Sequence, residues 1–249
     1  MAGYGPLVDG EVVLPVSSER VGEWDLSDVM RAERDGLHLS LLTCQRSGAS
    51  PATQPKPFKS ADPRPRKLCR HTIKVGDQER SAALVERIQN TLHTTFPPRR
   101  LLCIINPMAG GRKAEKMFDR QAKPVLESAG AMLDVRVTTA AGDATAWAYA
   151  VPLHSFDGIA VVGGDGTVNE VIDGLTTRAD SAEACAKLAL AHLGGGTSNA
   201  VMHNIAMESD ESSDMTSAAY LAVRGKAAAV DAARVWVSSG RARPLVLSA

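Results

Sequence analysis

Residues 157–175 read DGIAVVGGDGTVNEVIDGL. Ile159 to Val162 form a short apolar, mostly β-branched run with the composition of a buried strand. Gly163, Gly164 and Gly166 then flank one carboxylate, Asp165, and the strand pattern stops there. Glycine leaves no Cβ in the way, so an anion can approach the main chain and meet its N–H groups. Thr167 is placed to act as a helix N-cap, with Glu170 at the spacing of a capping box. Val168, Val171, Ile172 and Leu175 follow at helical spacing. Strand, glycine turn and helix N-terminus together predict an anion site, because free N–H groups and the positive dipole end meet at one point. The dipole contributes only about 0.3–1 kcal/mol per charge, so direct hydrogen bonds must supply most of the binding. A carboxylate beside such a site would repel the anion unless it held a cation or accepted a proton, which singles out Asp165. The competing reading is a glycine-rich turn in which Asp165 only forms the bend.

The same design occurs on both sides. Leu101 to Ile105 form a fully apolar run, the composition of a central parallel strand. Asn106-Pro-Met-Ala-Gly-Gly-Arg-Lys113 follows, and then a helix containing Ala114, Met117, Phe118, Val125 and Leu126. This first turn fits neither the Walker A spacing nor G-x-G-x-x-G. Leu133 to Val137 read as a strand ending in Thr138 and Thr139; Gly142 and Asp143 open a helix over Ala144–Val151, which Pro152 ends. Leu188 to Leu193 form a further strand, entering Gly194-Gly-Gly-Thr-Ser-Asn199. A helix starts at Ala200 and another runs from Asp214 to Arg224.

Residues 100–225 therefore alternate strand and helix, which predicts an α/β fold with a parallel sheet covered by helices. Ligands of such sheets sit at the carboxyl ends of the strands, where all three glycine turns fall. A tight strand-to-helix connection also selects glycine. Three such turns on one rim, accompanied by Asn106, Asp165, Thr197 and Asn199, favour a cradle for a nucleotide triphosphate without a P-loop.

The rest of the chain carries less chemistry. Apolar residues make up 44% of the 249, enough for a core, and 28 basic residues balance 28 acidic ones. No bulk charge recruits nucleic acid, and an aromatic content of 4% gives little for bases to stack on. Cys44, Cys69, Cys103 and Cys185 show no C-x-x-C spacing and are expected as reduced thiols. The opening residues lack a basic start with an apolar core, and no run reaches the ~20 apolar residues of a membrane span. The expected location is cytoplasmic, with any membrane contact peripheral. Glu11–Leu14, Leu37–Thr43 and residues 71–75 read as strands, Arg46–Arg70 as a flexible Pro- and basic-rich loop, and residues 79–93 as an amphipathic helix bearing Leu84, Val85, Ile88 and Leu92. Pro97 and Pro98 separate this third from the next unit.

NPMAGGRKA, VTTAAGDA, FDGIAVVGGDGTVNEVIDGL and GGGTSNA, in this order, resemble the catalytic domain of the diacylglycerol kinase superfamily, and most closely its sphingosine kinase and ceramide kinase branch. The resemblance covers residues 99 to 249. It implies a parallel-sheet nucleotide-binding domain of the NAD kinase and diacylglycerol kinase type, followed by a β-rich lipid-binding domain. It divides the chain into residues 1–98, resembling a shortened pleckstrin-homology-like region; 99–228, the ATP-binding catalytic domain; and 229–249, the first strands of the lipid-binding domain at Ala229–Val237 and Pro244–Ser248. The family phosphorylates a lipid hydroxyl with ATP and Mg²⁺. The implied substrate is a sphingoid base or ceramide, and the implied membrane contact is peripheral.

Carried over by position, the resemblance implies nucleotide contacts at Asn106, Gly110, Gly111, Thr138, Gly163, Gly164, Asp165, Gly166, Thr167, Gly196, Thr197 and Asn199. It implies that Asp165 is the catalytic carboxylate, as general base on the hydroxyl or as a metal-linked group; Glu170 falls on an acidic motif position with a structural role. Members usually have Pro where this chain has Gly194, and often Gly at Ser198. GGDGT is shared with diacylglycerol, bacterial lipid and NAD kinases, whereas sphingosine kinases more often carry SGDGL. A diacylglycerol kinase is thus the near alternative, and NAD kinase a further one that NPMAGGRK and GGGTSNA disfavour. Because the chain stops early in the implied second domain, a truncated nucleotide-binding fragment without lipid kinase activity is the non-enzymatic alternative.

Overall fold

The computed structural model describes residues 7–8, 11–12, 14–47, 64–75, 77–236 and 242–246. The chain forms two compact units, Met1–Pro98 with Ser128–Gly130, and Arg99–Glu127 with Ala131–Ala249.

The first unit holds a three-stranded antiparallel sheet, β1 (Val29–Asp35), β2 (His38–Arg46) and β3 (Arg66–Lys74), in that order, with helix α1 (Gln78–Thr95). Asp77 caps α1 by accepting the N–H of Arg80 at 2.7 Å. The helix buries Ile88 and Leu92 against Ala32, Leu39, Leu41 and Ile73 of the sheet, and Leu84 and Val85 pack on the same cluster. The expected apolar stripe is therefore the core-facing one. Two-residue ladders precede the sheet at Leu7–Val8 with Glu11–Val12 and at Arg20–Val21 with Trp24–Asp25. The first ladder ends before the expected limit of Leu14, which lies outside any strand.

The expected loop over Arg46–Arg70 is corrected at its end, while residues 48–63 lie outside the described part. β3 begins at Arg66, whose guanidinium is buried and donates to Asp28 and to the Cys44 carbonyl at 2.7 and 2.6 Å. Pairing with β2 and that buried ion pair override a composition that reads as loop.

The second unit is built on four parallel strands, β4 (Arg100–Ile105), β5 (Met132–Val137), β6 (Gly158–Val162) and β7 (Ala189–His192). Their order across the sheet is β7-β6-β4-β5. β4 and β6 are central, and every residue of β6 and all but the first of β4 are buried. β5 lies at an edge, half-exposed. The chain leaves β4 for one side of the sheet and returns on the other, so β4 and β6 bracket a switch point, the position at which open α/β sheets bind ligands.

The connections are helical. After β4 come Ala114–Met117, a wide π turn over Phe118–Ala122, and Lys123–Ser128, which bury Ala114, Phe118, Ala122, Val125 and Leu126. The others are α2 (Asp143–Ala150), α3 (Asp165–Thr176), the short α4 (Ser181–Lys187), α5 (Ala200–Glu208) and α6 (Met215–Arg224). Leu102, Ile104, Ile159 and Val161 meet Ala144, Ala148, Val168, Val171 and Leu175 of α2 and α3 in one core. Gly174 lets α3 lie hard against α2, since a Cβ there would stand 2.4 Å from the Thr145 carbonyl. α4 was not anticipated from sequence, and α2 starts and ends one residue earlier than expected. An antiparallel hairpin, β8 (Ala232–Trp236) with β9 (Ala242–Val246), closes the described chain; the expected strand residues Val237, Leu247 and Ser248 lie outside the described part. The four cysteines are free, and burial first, then Asp134, pushes the Cys103 thiol up to about 12.

Candidate functional site

The parallel register brings the ends of β4, β6 and β7 level, so the three glycine turns emerge side by side. Asn106 donates its N–H to Val162 O at 2.8 Å, and Leu193 donates to Val161 O at 2.8 Å, continuing the sheet ladder into the turns. The turns then pack backbone on backbone. A Cβ on Gly110 would meet the Gly195 carbonyl at 2.7 Å, and one on Gly196 would meet Gly164 Cα at 2.5 Å. Gly110, Gly111 and Arg112 all have positive φ, which bends the first turn back over the sheet end. Glycine at Gly110 and Gly196 is thus required by neighbouring turns.

Gly166 differs. Its φ is not positive and a Cβ there would meet nothing within 4 Å, so no packing explains the residue. That space belongs to a cavity of about 830 Å³, within the roughly 300–1,000 Å³ range of small-molecule sites. Asn106, Gly110 and Gly111 of the first turn, Gly164, Gly166 and Thr167 of the second, and Gly196 and Thr197 of the third all line it. Met108, Ala109, Ala141, Gly142, Thr145, Asn169, Glu170 and Asp173 complete the lining.

The second turn corrects one sequence expectation. Gly164 is extended, at φ −93° and ψ −179°, so α3 starts at Asp165 and Gly164 occupies the N-cap position. Thr167 is therefore inside the first helical turn and no capping box forms with Glu170. Its hydroxyl instead accepts from Asn106 Nδ2 at 3.1 Å, tying the first and second turns together. Asn106 Oδ1 accepts the Met108 N–H at 3.0 Å, so this amide is fixed at both ends. Gly164 has no side chain to cap α3, and its carbonyl accepts the Thr167 and Val168 N–H groups at 3.0 and 3.3 Å, which leaves those of Asp165 and Gly166 open beside the cavity.

Asp165 does not line the cavity. Its carboxylate accepts the N–H groups of Ala200 and Val201, at 3.0 and 3.2 Å, and so caps α5. Asn199, the residue at the N-cap of α5, has φ 51° and folds its amide back on Gly196, accepting from its N–H at 2.8 Å and donating to its carbonyl at 3.0 Å. Asn199 thereby shapes the third turn without lining the cavity. Gly163 lies beneath the second turn, with its carbonyl accepting the Gly195 N–H at 2.7 Å. Thr138 closes β5 by donating to Ile105 O and does not line the cavity.

Asn169 and Asp173 on α3 were missed by sequence reasoning, and Glu170, expected to have a structural role, stands with Asp173 as a carboxylate wall of the cavity. Helical spacing from Gly166 was the available signal, since Asn169, Glu170 and Asp173 follow it in steps of three or four and such positions share a face. In the turn before α2 the expected contact was Thr138, whereas Ala141 and Gly142 line the cavity. The Asp143 carboxylate accepts the Thr139 and Ala140 N–H groups at 2.7 and 2.9 Å and the Thr139 hydroxyl at 3.0 Å, which brings Ala141 and Gly142 to the cavity. Those donors, the Thr139 N–H first, hold its carboxyl below the usual carboxylate range. Among the described residues no cluster of three or more His, Cys, Asp or Glu is placed to hold a metal by itself, and no helix is long and apolar enough to cross a membrane.

A family model described as the diacylglycerol kinase catalytic domain matches residues 100–235, the segment that carries the whole cavity. Sphingosine kinase 2 of Arabidopsis thaliana is 30% identical over 149 residues, 60% of this chain and 31% of the relative. Sphingoid long chain base kinase 4 of Schizosaccharomyces pombe is 40% identical over 106 residues, 43% of this chain and 23% of the relative. The ceramide kinase of Homo sapiens is 36% identical over 84 residues, 34% of this chain and 16% of the relative. A crystal structure of a diacylglycerol kinase from Bacillus anthracis str. Sterne aligns at 27% identity and a TM-score of 0.45, over 54% of this chain and 43% of that one. The chain spans less than a third of the length of these curated relatives. With more than half of its residues inside the family's model and sphingoid and ceramide kinases among its relatives, the chain belongs to the diacylglycerol kinase catalytic domain family.

Proposed function

We propose that the cavity binds ATP with Mg²⁺, and that the protein passes the γ-phosphoryl group to a lipid hydroxyl, that of a sphingoid base or ceramide. The observation that carries this reading is the open N-terminus of α3 meeting three glycine turns around one cavity. Phosphoryl transfer asks a protein for positioning and charge neutralisation more than for covalent chemistry. Backbone donors at Gly164 and Gly166 would hold phosphate oxygens without the charge of a lysine. Correct placement can supply about 7–11 kcal/mol of such a barrier.

The donor set fits Mg²⁺ arriving with its nucleotide. Mg²⁺ prefers oxygen ligands and is usually held by one or two carboxylates plus substrate phosphates. Glu170 and Asp173 supply two carboxylates on the wall. The ion would neutralise phosphate charge on transfer. Asp165 keeps a role beside its capping one: an ionised carboxylate has about four lone-pair sites, and Ala200 and Val201 occupy two. The remainder would be available to take a hydroxyl proton, whose removal in the transition state is worth about 10²–10⁴-fold.

The names of the relatives favour sphingoid bases and ceramide, and GGDGT keeps diacylglycerol as the second candidate. Residues 1–98 are proposed as a partial pleckstrin-homology-like region that brings the enzyme to the membrane surface. The protein, incubated with γ-labelled ATP and Mg²⁺, is expected to label sphingosine or ceramide before diacylglycerol. Asp165→Asn is expected to abolish transfer while leaving MgATP affinity within several-fold. Phosphorylation of NAD alone would overturn the proposal.

A further inference from the structure

His192 ends β7, two residues before the third glycine turn, and only 2% of it is exposed. Its Nε2 lies 3.0 Å from the carbonyl of Gly163, the first glycine of the second turn. A carbonyl only accepts, so Nε2 carries the proton, and an Nδ1 with no acceptor fits the neutral Nε2–H tautomer. Nδ1 is buried with no hydrogen-bond partner. Burying a bare ring nitrogen is unfavourable, and an apolar residue would fill the space as well. What the imidazole adds is the donor.

The peptide it holds is a special one. Gly163 O and Gly164 N–H belong to the same planar unit and point in opposite directions. Drawing the carbonyl inward, toward His192 and the Gly195 N–H, turns the Gly164 N–H the other way. Gly164 lines the cavity. A Gly-Gly peptide has no Cβ on either side to bias its plane, so without a clamp it is free to flip. The Gly195 N–H supplies one hold on this carbonyl and His192 the second. Thr167 packs over Gly163 from the far side, where a Cβ would meet its Oγ1 at 2.6 Å, and Thr167 is in turn bonded to Asn106.

We propose that His192 is a positioning residue of the nucleotide site, whose neutral imidazole locks the Gly163–Gly164 peptide so that the Gly164 N–H faces the bound phosphate. This rests on the nucleotide reading above. The lock is sensitive to acid. Burial first, then the charge of His203, lowers the pKa of His192, against the Gly163 carbonyl and the Asp165 carboxylate, which raise it. With a folded-state pKa below the ordinary histidine value, the unfolded chain takes the proton more readily. The contribution is therefore complete above that value and is lost as pH falls below it. An imidazolium here would bury an Nδ1–H with no acceptor.

The test uses the full chain. Nitrogen-15 NMR of the histidine rings is expected to report the Nε2–H tautomer for His192 at neutral pH. His192→Leu, which fills the space without a donor, should bind MgATP about tenfold more weakly, the worth of roughly one hydrogen bond. It should also speed hydrogen exchange at the Gly195 amide. His192→Gln, which returns an N–H near the Nε2 position, should recover most of the affinity and lose the acid-side fall seen in the wild type. An Nδ1–H tautomer, or a folded His192→Leu that binds MgATP as the wild type does, overturns the proposal. Should His192→Leu not fold, the tautomer and the His192→Gln pH profile decide it. Wild-type protein that binds no MgATP refutes the nucleotide reading itself, whereas loss of the tautomer alone refutes only the lock.

Discussion

The carboxylate of Asp165 accepts the Ala200 N–H at 3.0 Å, so a side chain from the second glycine turn caps the helix that leaves the third. Asn199 stands where a cap normally sits and spends its amide on Gly196 instead. Removing a capping side chain costs about 0.5–2 kcal/mol, so Asp165→Ala is expected to lower unfolding stability by roughly 1 kcal/mol, and Asp165→Asn, which keeps an acceptor, by less. Chemical denaturation of the two variants checks this. Equal stability of Asp165→Ala and wild type would show that the cap contributes nothing.

Gly166→Ala should move stability and binding in opposite directions. Alanine in a helix is favoured over glycine by up to about 1 kcal/mol, and the added methyl meets no protein atom within 4 Å. That same methyl stands in the cavity. The variant is expected to unfold at the wild-type temperature or above it and to bind MgATP at least tenfold more weakly, as read by calorimetric titration.

Gly174→Ala separates two effects of opposite sign in one helix. Propensity favours alanine by about 1 kcal/mol. The new Cβ, however, would lie 2.4 Å from the Thr145 carbonyl and 2.8 Å from Ala148 Cβ, both on α2. Overpacking of this kind costs about 1–3 kcal/mol, so net destabilisation is expected in thermal unfolding. A gain in stability would mean that α2 and α3 are not in close contact.

The turn before α2 should hold to low pH. The Asp143 carboxyl is kept below its usual range by the Thr139 and Ala140 N–H groups. A depressed folded-state pKa means a contribution that is complete above the ordinary carboxylate range and fades as pH falls through the lowered value. Hydrogen exchange at Thr139 and Ala140 is expected to stay slow in the wild type across mildly acidic pH and to be fast in Asp143→Ala at neutral pH. Identical exchange in both proteins would contradict this.

What could be read in advance follows from where the physics is local. The runs at 101–105 and 159–162 are central strands buried on both faces, so their apolar content alone marks them. Glycines bunched after an apolar run mark the turns, and Asn106 and Thr197 do share one cavity, whereas Asp165 and Asn199, expected in the same cradle, do not line it. Long-range partners were not legible. The cap on α5 comes from Asp165, 35 residues earlier in the chain. Thr167 looks like a cap in sequence, and only the fold supplies Asn106 as its partner. β1, VMRAERD, escaped notice because its solvent-facing residues are charged and dilute the apolar signal. His192 gave one faint clue, a lone imidazole in an apolar run entering a glycine turn.

Main-chain donors of three turns and one open helix end are proposed to receive the same nucleotide. A titration of nitrogen-15-labelled full chain with MgATP, following the backbone amides of Gly110, Gly164, Gly166 and Gly196, decides whether they do. The four signals are expected to shift together and saturate at one equivalent. Saturable binding that leaves them unmoved, or that moves only one turn, would contradict the account.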